Sequence, residues 1–395
     1  MGISKKMAEA IESGGWIRKM FMEGIQLKAE YGEENVFDFT IGNPPEGPPE
    51  ICLQALKKII DNPPPNTHAY MPNAGFPQVR ESIAQDIAKN CNMTMQMSQV
   101  VMTCGAGGAI NVALKAILDP GDEVLILAPY FIEYPAWIDN HGGKSVIVST
   151  TSDFQLDITA IEKAITKKTR AVLLNSPNNP TGVVYPEEQI KELGDLVRAR
   201  GKALNTDIYV INDEPYRKYL YDGITFPHIF KHIDNALIGY SHSKDLCLGG
   251  ERIGYLAASP NCADLERLEA AMVHANRSLG FVNAPSLMQL LVADLQHVLP
   301  DIEAYQRRRD LLYEILTSAG FETIKPQGGF YLFAKSPIAD DIAFLKAANK
   351  KRLLLAPGTG FHAPGYFRVV FCTPSKAIER SRQVWIEIGK EFNTI

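Results

Sequence analysis

The chain has 395 residues, of which 46% are hydrophobic and 22% are charged, and its formal net charge is -5. This length exceeds one ordinary hydrophobic core and predicts two packed domains, while the near-neutral charge argues against nucleic-acid binding. The N-terminus carries no apolar segment followed by a small-residue cleavage site. The most apolar long stretch, residues 284–299, is interrupted by polar side chains and predicts a buried amphipathic helix. A soluble cytoplasmic protein without a membrane span is therefore expected.

The cysteines and the basic residues add little chemistry of their own. The six cysteines are scattered without a CxxC pair, which argues against a disulfide framework or a zinc site, and no metal is expected. Arg307, Arg308 and Arg309 form the one basic cluster of note. Because they lie in a helical pattern, a solvated helix face is expected there.

Strand and helix patterns alternate through the first two thirds of the chain. Short β-branched runs, which predict strands, lie at residues 123–128, 145–149, 170–175, 208–212, 236–240 and 253–258. Helical patterns between them lie at residues 109–118, 158–166 and 187–200. Strands joined through such helices imply crossover connections and a largely parallel, buried sheet. Because ligands of such sheets gather at the carboxyl ends of the strands, site residues are expected just after strands.

The final third has a different rhythm and predicts a smaller α+β domain. Its helical patterns lie at residues 302–319 and 341–350, and short strands are expected at residues 329–334, 353–356 and 366–371. The boundary between the two domains is expected near residues 275–285.

Lys244 lies in the most informative segment, which follows a predicted strand and contains hydroxyl residues, a Gly-rich turn and an arginine. The hydroxyls of Ser241 and Ser243 with the guanidinium of Arg252 have the composition of a phosphate site. A lysine at such a site either contacts the phosphate as a point charge or attacks a carbonyl carbon to form an imine. This segment alone leaves both alternatives open.

Asp213 and Tyr216 lie at the end of another predicted strand and favour the imine. A helix cap and a core aromatic are the plain alternatives for these two residues. However, an aspartate beside a pyridinium nitrogen keeps that nitrogen protonated, which is the electron sink that pyridoxal 5'-phosphate (PLP) chemistry needs. A phenol beside the ring hydroxyl would stabilise its oxyanion. Asn179, which follows the strand at 170–175, could donate to the same ring oxygen, although its Pro- and Gly-rich segment also fits a simple turn.

A glycine-rich segment, residues 103–109, runs into a predicted helix. Backbone N–H groups at such a helix start, together with the helix dipole, can hold a phosphate. The segment lacks the full G-x-G-x-x-G pattern, which makes a nicotinamide-dependent dehydrogenase a poor alternative, and the missing GK[ST] excludes a triphosphate P-loop.

These four segments, with Asn-Pro-Thr-Gly, Asp-x-x-Tyr and Ser-x-x-Lys followed eight residues later by arginine, resemble the fold type I, class I/II aminotransferase family over essentially the whole chain. The resemblance implies a large PLP-binding domain over 46–283 with a mostly parallel, seven-stranded sheet flanked by helices. It also implies a smaller α+β domain built from 1–45 and 284–395, and a homodimer with shared active sites.

The family's functional positions match residues of this chain one by one. The resemblance implies that Lys244 forms the Schiff base and that Arg252, Ser241 and the backbone of Ala106 and Gly107 bind the phosphate. For the ring, it implies that Asp213 contacts the pyridinium nitrogen, that Tyr216 and Asn179 contact the ring oxygen, and that Tyr130 stacks on the ring. It also implies that Tyr70 contacts the phosphate of the neighbouring subunit. Family members often have a hydroxyl residue where Ala106 stands, and one missing hydrogen bond costs about 1 kcal/mol.

On the substrate side, Arg368 matches the residue that clamps the substrate carboxylate, and Gly42 and Asn179 match residues that line the pocket. An arginine inside a strand is costly unless it is paired, which itself suggests an anionic partner. Arg277 lies one residue from the spacing expected of a second arginine for dicarboxylates, so its role stays open.

The resemblance implies an aminotransferase that moves an amino group from an L-amino acid to a 2-oxo acid by a ping-pong mechanism, with Lys244 as the base that moves the α-proton. Aspartate, alanine and aromatic donors all stay open. A PLP-dependent carbon–sulfur lyase or synthase of the same fold uses the same cofactor residues and is the main alternative. A PLP-binding regulatory domain without catalysis is a more remote one, because it needs an added DNA-binding domain.

Overall fold

The computed structural model describes the backbone of residues 2–395 and their side chains, apart from residues 10 and 12–21. The chain divides into two compact units. The larger contains residues 43–302 and 326–329, and the smaller contains the chain up to Gly42 with residues 303–325 and 330–395. Compactness thus places residues 284–302 with the larger unit. The functional domain limits of 46–283 and 284–395 stay a prediction.

In chain order, the helices are α1 (Lys5–Tyr31), α2 (Glu50–Asp61), α3 (Pro77–Cys91), α4 (Gly105–Ile117), α5 (Tyr134–Asn140), α6 (Ile158–Ala164), α7 (Glu187–Leu204), α8 (His242–Asp245), α9 (Leu265–Ser278), α10 (Ser286–Ala293), α11 (Ile302–Ser318), α12 (Asp341–Lys350) and α13 (Ser375–Glu391). The strands are β1 (Phe37–Asp38), β2 (Val100–Thr103), β3 (Glu123–Ala128), β4 (Lys144–Ser149), β5 (Thr169–Asn175), β6 (Tyr209–Asp213), β7 (Ala236–Ser241), β8 (Gly254–Ala258), β9 (Tyr331–Lys335), β10 (Leu353–Leu354), β11 (Ala356–Pro357) and β12 (Tyr366–Val370).

The larger unit is built on a seven-stranded sheet with the order β2-β8-β7-β6-β5-β3-β4. Strands β3 to β7 pair in parallel, and β8 pairs antiparallel with both β2 and β7. The six strands predicted in this region are confirmed, each to within one residue at either end. The predicted mostly parallel sheet is therefore confirmed.

Burial explains why these runs form the centre of the sheet. Every residue of β6 and β7 is buried, as expected of strands covered by helices on both faces. Helix α4 approaches the sheet closely at Gly239, where an added Cβ would lie 2.8 Å from the Ile110 side chain. Strand β2 was missed, because its four residues run into the glycine-rich segment and give too short an apolar run to predict a strand.

The smaller unit contains a three-stranded antiparallel sheet, β11-β12-β9, and a parallel pair, β1-β10. Aromatic side chains fill its core: the rings of Phe344 and Phe367 lie 5.0 Å apart, and those of Phe321 and Trp385 lie 5.4 Å apart. The predicted α+β character of this part of the chain is confirmed. The strand expected at 353–356 is divided into two short strands.

The prediction for the arginine cluster was wrong in part. Arg309 is fully buried and binds Asp310, with 2.8 Å between Nη2 and Oδ1, whereas Arg307 is exposed. Successive residues of an α-helix point about 100° apart, so three in a row cannot share one solvated face. The helix expected over 284–299 is also shorter, since α10 begins after Pro285 and ends before Asp294.

Two further expectations concern the surroundings of the protein. The six cysteines are free thiols, four of them buried. Among the helices that the structure describes, none is long and apolar enough to cross a membrane. The cytoplasmic location stays a prediction.

Gly254 offers a test of the pairing between β2, β8 and β7. A Cβ at this position would collide with the Tyr240 carbonyl oxygen and would lie 2.9 Å from the Gly105 Cα, and neither backbone atom can move without disturbing the sheet. We expect Gly254→Ala to lower the free energy of unfolding by about 1–3 kcal/mol in urea denaturation. Gly250→Ala, whose Cβ would enter open space, is the matched control. Equal denaturation midpoints for the two variants would contradict this view of the packing.

Candidate active site

The sequence-predicted residues of the larger unit come together at one edge of its sheet. Strands β3, β5, β6 and β7 run in parallel and end at this edge, β2 runs in the same direction, and β8 begins there. The site residues follow or precede these ends: Tyr130 after β3, Asn179 after β5, Asp213 and Tyr216 at and after β6, Ser241, Ser243 and Lys244 at and after β7, Arg252 before β8, and Ala106 and Gly107 after β2. This is the edge where open α/β sheets bind ligands.

Asp213 is the last residue of β6 and is only 6% exposed. Its Oδ2 accepts a hydrogen bond from the Tyr134 hydroxyl at 2.7 Å. Its Oδ1 is buried and has no hydrogen-bond partner in the part of the chain that the structure describes. Burial raises the pKa of the carboxyl to about 7, although the hydrogen bond from Tyr134 lowers it. Such a carboxylate is suited to a buried cationic N–H donor, and a protonated pyridine nitrogen is one.

Tyr134 was not assigned a role from the sequence. It is the first residue of α5, and its ring packs edge-on against Phe131 with 5.6 Å between centroids. Burial, followed by the charge of Asp213, raises the pKa of its phenol, so the hydroxyl stays a neutral donor. The available signal was its place in the same aromatic-rich segment as Tyr130, directly after β3, but this place does not specify a partner.

Asn175, the last residue of β5, was also missed. Its side chain donates to the Asp213 carbonyl oxygen at 2.8 Å and accepts from the Asn179 backbone N–H at 2.7 Å. One amide thereby fixes the backbones of two predicted site residues. The following turn is held by Asn178, whose Oδ1 accepts from the Thr181 hydroxyl at 2.8 Å.

The aromatic residues and the lysine complete this part of the site. Tyr130 and Tyr216 are both buried, and burial raises the pKa of the Tyr130 phenol. Lys244 is the third residue of α8 and is partly buried. Its carbonyl oxygen accepts a hydrogen bond from the Tyr219 hydroxyl at 2.8 Å. Lys244 therefore lies one short turn beyond the end of β7, next to the strand that carries Asp213.

The hydroxyls of Ser241 and Ser243, the guanidinium of Arg252 and the start of α4 lie close together beside the ends of β2 and β7. The Oγ atoms of Ser241 and Ser243 lie 2.6 Å apart, and Nη1 of Arg252 lies 3.5 Å from Oγ of Ser243. Nη2 of Arg252 donates to the Cys104 carbonyl at 3.3 Å, and a Cβ at Gly105 would lie 2.8 Å from the same Nη2.

Helix α4 begins at Gly105, so the N–H groups of its first turn are available to an anion. Ala106 and Gly107 lie in that first turn. Together with the hydroxyls and the guanidinium, these donors fit a phosphate dianion.

The predicted substrate residues Arg368 and Gly42 belong to the smaller unit. Nη2 of Arg368 donates to the Thr40 carbonyl at 2.6 Å, and its guanidinium carbon lies 4.7 Å and 4.8 Å from the ring centres of Tyr331 and Phe361. A Cβ at Gly42 would collide with the Tyr331 hydroxyl. The two predicted residues therefore meet at Tyr331.

Two residues lie apart from these clusters. Tyr70, in the larger unit, is 98% exposed in this chain, and Arg277 is exposed near the end of α9. Neither has a contact within the described chain that defines its role.

The donors of the larger unit fit a phosphorylated, heteroaromatic cofactor, and comparison with known proteins identifies the family of the chain. The family model described as Aminotransferase class I and II matches residues 34–382. The probable aspartate/prephenate aminotransferase of Thermus aquaticus is 33% identical over 359 residues, which are 87% of this chain and 90% of that protein.

Solved structures give the same result. An amino transferase from Eubacterium rectale is 37% identical, covers 100% of both chains and superposes with a TM-score of 0.96. A single mutant of the Thermus thermophilus aspartate aminotransferase is 29% identical, covers 94% of this chain and 95% of its own, and has a TM-score of 0.83. The chain belongs to the class I and II aminotransferase family. It is a PLP-dependent aminotransferase.

A pH series on the cofactor-free protein tests the cost of ionising Asp213. Its folded pKa of about 7 lies above the ordinary value of 3.8, so the folded state loses stability relative to the unfolded chain as pH rises from about 4 to about 7. Asp213→Asn removes this titration. We expect the unfolding temperature of the variant to exceed that of the wild type by a margin that grows across this range and is constant above it.

The control for this series is Asp153→Asn, an exposed carboxyl outside the site. Its unfolding temperature is expected to follow the wild type at every pH. A margin for Asp213→Asn that does not change with pH would show that Asp213 ionises at its ordinary pKa and would contradict the burial cost.

Arg252→Gln tests the phosphate contacts. Hydrogen bonds to a charged group contribute about 1.5–3 kcal/mol, so we expect the affinity of the cofactor-free protein for PLP to fall by about tenfold to a hundredfold in a fluorescence titration. Arg267→Gln changes an exposed arginine that pairs with Asp264 at 3.4 Å, away from the site, and should bind PLP like the wild type. Equal affinities for the two variants would exclude Arg252 from the phosphate site.

Proposed function

We propose that this aminotransferase transfers the amino group of an L-amino acid to a 2-oxo acid at the sheet edge formed by β3, β5, β6 and β7, with Lys244 as both the covalent attachment of PLP and the proton carrier. The observation that supports this assignment most is the Asp213 carboxylate, which is buried, bonded on one oxygen by Tyr134, and without a partner on the other among the described residues. A site for phosphate alone has no use for such a group.

When bound, PLP supplies a protonated ring that withdraws electrons from the substrate's α-carbon. Asp213, held by the Tyr134 hydroxyl, would keep the ring nitrogen protonated. Tyr216 and Asn179 would donate to the ring oxygen, and Tyr130 would stack on the ring. The chain's contribution is thus to fix the protonation state and the orientation of the ring.

The phosphate is held by Ser241, Ser243, Arg252 and the N–H groups of Ala106 and Gly107. These groups come from three separate segments, after β2, after β7 and before β8. A phosphate bound by all of them fixes the ring relative to the sheet, because the three segments are held by the paired strands β2, β8 and β7.

Lys244 would carry the α-proton of the substrate as general base, because it directly follows the carboxyl end of β7, beside the strand that carries Asp213. Arg368 binds the substrate's α-carboxylate. Thr40 and the rings of Tyr331 and Phe361 hold the guanidinium of Arg368 in one place, which lets it orient the substrate instead of rotating freely.

A homodimer completes the proposal. Tyr70 is 98% exposed, and Ile51, Leu53 and Ile60 of α2 are also exposed apolar side chains of the same unit. A second copy packed against these side chains would remove their apolar surface from water. Tyr70 would then contact the phosphate bound by the second copy.

For the amino donor, the relative from Thermus aquaticus is named for aspartate and prephenate, so aspartate is the first donor to test. Alanine and aromatic donors follow. Formation of a new amino acid together with the 2-oxo acid of the donor distinguishes transfer from a lyase or synthase reaction.

Lys244→Ala tests the proposal directly. We expect the variant to lose the visible absorbance of the lysine-bound cofactor, and its turnover to fall by about a hundredfold to ten-thousandfold, because a general base contributes this much. Its far-ultraviolet circular dichroism should not change. Lys231→Ala, an exposed lysine outside the site, is the control. Wild-type transamination by Lys244→Ala would contradict the assignment of Lys244 as the proton carrier.

A further inference from the structure

Helix α8, which carries Lys244, has only four residues. A single turn has no helical cooperativity to hold it in place, so contacts from outside must fix it. Three consecutive residues of the chain after β6, Arg217, Lys218 and Tyr219, each contact α8 or Tyr240, which lies two residues before the start of α8. We call these three residues the Lys244 clamp.

The strongest contact of the Lys244 clamp is a buried ion pair beside Lys244. Nζ of Lys218 lies 2.9 Å from Oδ2 of Asp245, and the two side chains are only 10% and 1% exposed. The same Nζ donates to the carbonyl oxygens of Gln296 at 2.8 Å and Val298 at 3.0 Å. All three protons of the ammonium group therefore have acceptors.

Asp245 is equally well satisfied. Its Oδ2 also accepts from the Tyr240 hydroxyl at 2.8 Å and lies 3.2 Å from Nδ1 of His242, and its Oδ1 accepts from the Leu246 N–H at 2.9 Å. Burial raises the pKa of this carboxyl, but His242 and Lys218 lower it by more, so the pKa of Asp245 lies well below its ordinary value. Lys218 therefore contacts a carboxyl whose surroundings favour its ionised form.

The other two members of the Lys244 clamp act on either side of this pair. The guanidinium carbon of Arg217 lies 4.0 Å from the ring centre of Tyr240, the residue before the last of β7. The Tyr219 hydroxyl donates to the carbonyl oxygen of Lys244 itself at 2.8 Å. The three residues thus contact the strand that leads into this turn, the last residue of the turn, and its lysine.

Stability alone does not account for this arrangement. A buried ion pair is costly to desolvate, and well-packed apolar side chains are often equally stable in its place. The Lys244 clamp also begins one residue after Tyr216 and four after Asp213, so one continuous segment, 213–219, contains the cofactor contacts and the contacts to α8. The ion pair therefore connects two parts of the site.

We propose that the Lys244 clamp fixes the backbone of Lys244 relative to Asp213 and Tyr216, and that Lys218 and Tyr219 are positioning residues for the proton transfer assigned to Lys244. This inference rests on the proposed function. Neither residue touches the reacting atoms in this role, since each acts through the backbone or the neighbour of Lys244.

Tyr219→Phe is the mildest test, because it removes only the hydroxyl. We expect kcat per bound cofactor to fall about tenfold, because a displaced Lys244 amine meets the α-proton less often in the productive geometry, while KM for the amino acid changes less than about twofold. The induced circular dichroism of the bound cofactor should also change. Tyr221→Phe is the matched control, since Tyr221 is fully buried and also donates to a backbone carbonyl, that of Gly329.

Equal loss of thermal stability in the two tyrosine variants, with a change in circular dichroism and kcat only in Tyr219→Phe, supports the inference. Unchanged kcat and circular dichroism in Tyr219→Phe would overturn it. If instead the wild type shows no Lys244-dependent cofactor absorbance, the proposed function itself fails, so the two failures are distinguishable.

The ion pair is tested with the double variant Lys218→Met/Asp245→Asn, because Lys218→Met alone leaves a buried carboxylate without its main partner and can unfold the protein. We expect the double variant to have a higher unfolding temperature than Lys218→Met but kcat per bound cofactor at least about tenfold below the wild type. Lys191→Met, which removes an exposed pair with Asp195 on α7, is the control. Wild-type kcat and circular dichroism in the double variant would show that the pair is only structural.

Discussion

The carboxylate of Asp213 lies at the end of a strand that is buried along its whole length, where an ionised group is costly without a partner. The protein meets only part of that cost, with one hydrogen bond from Tyr134. The remaining oxygen has no partner among the described residues and is suited to a cation that the cofactor brings. Two neighbouring residues hold this carboxylate in place. Asn175 fixes the backbone of Asp213, and Tyr134, the first residue of α5, donates its hydroxyl to the carboxylate.

The carboxyl ends of the parallel strands bring together segments that are distant in sequence, and the proposed cofactor site lies there. Parallel strands deliver their following loops to the same side, and the one antiparallel strand among them, β8, contributes the residue before it instead of the residue after it. Arg252, which precedes β8, can therefore contact Ser243, which follows β7. The pairing of β8 with β2 and β7 also leaves no room for a side chain at Gly254, because the first residue of α4 packs directly against it.

The sequence predicted those features that depend on local patterns. The strand positions followed from β-branched runs. The placement of Lys244, Asp213 and Arg252 beside strand ends also followed from these runs, whereas their roles stay a prediction. Tyr134 was not recognisable, since its partner is 79 residues away and only the packing of α5 brings the two together. The burial of Arg309 was missed for a related reason: helical periodicity shows that three adjacent arginines diverge, but not which one points inward.

The register of β8 has a consequence for where this enzyme can be remodelled. Thr103 pairs with Gly254 and Ser241 pairs with the same glycine from the other side, so inserting a residue in any of these strands would move Arg252 away from the phosphate donors. Insertions at the amino-terminal ends of the parallel strands would not have this effect. The turns at 166–168 and 205–208 precede β5 and β6 and contain none of the proposed cofactor residues. Reporter peptides, affinity tags or circularly permuted termini therefore belong at those turns, where added length leaves the catalytic edge as it is.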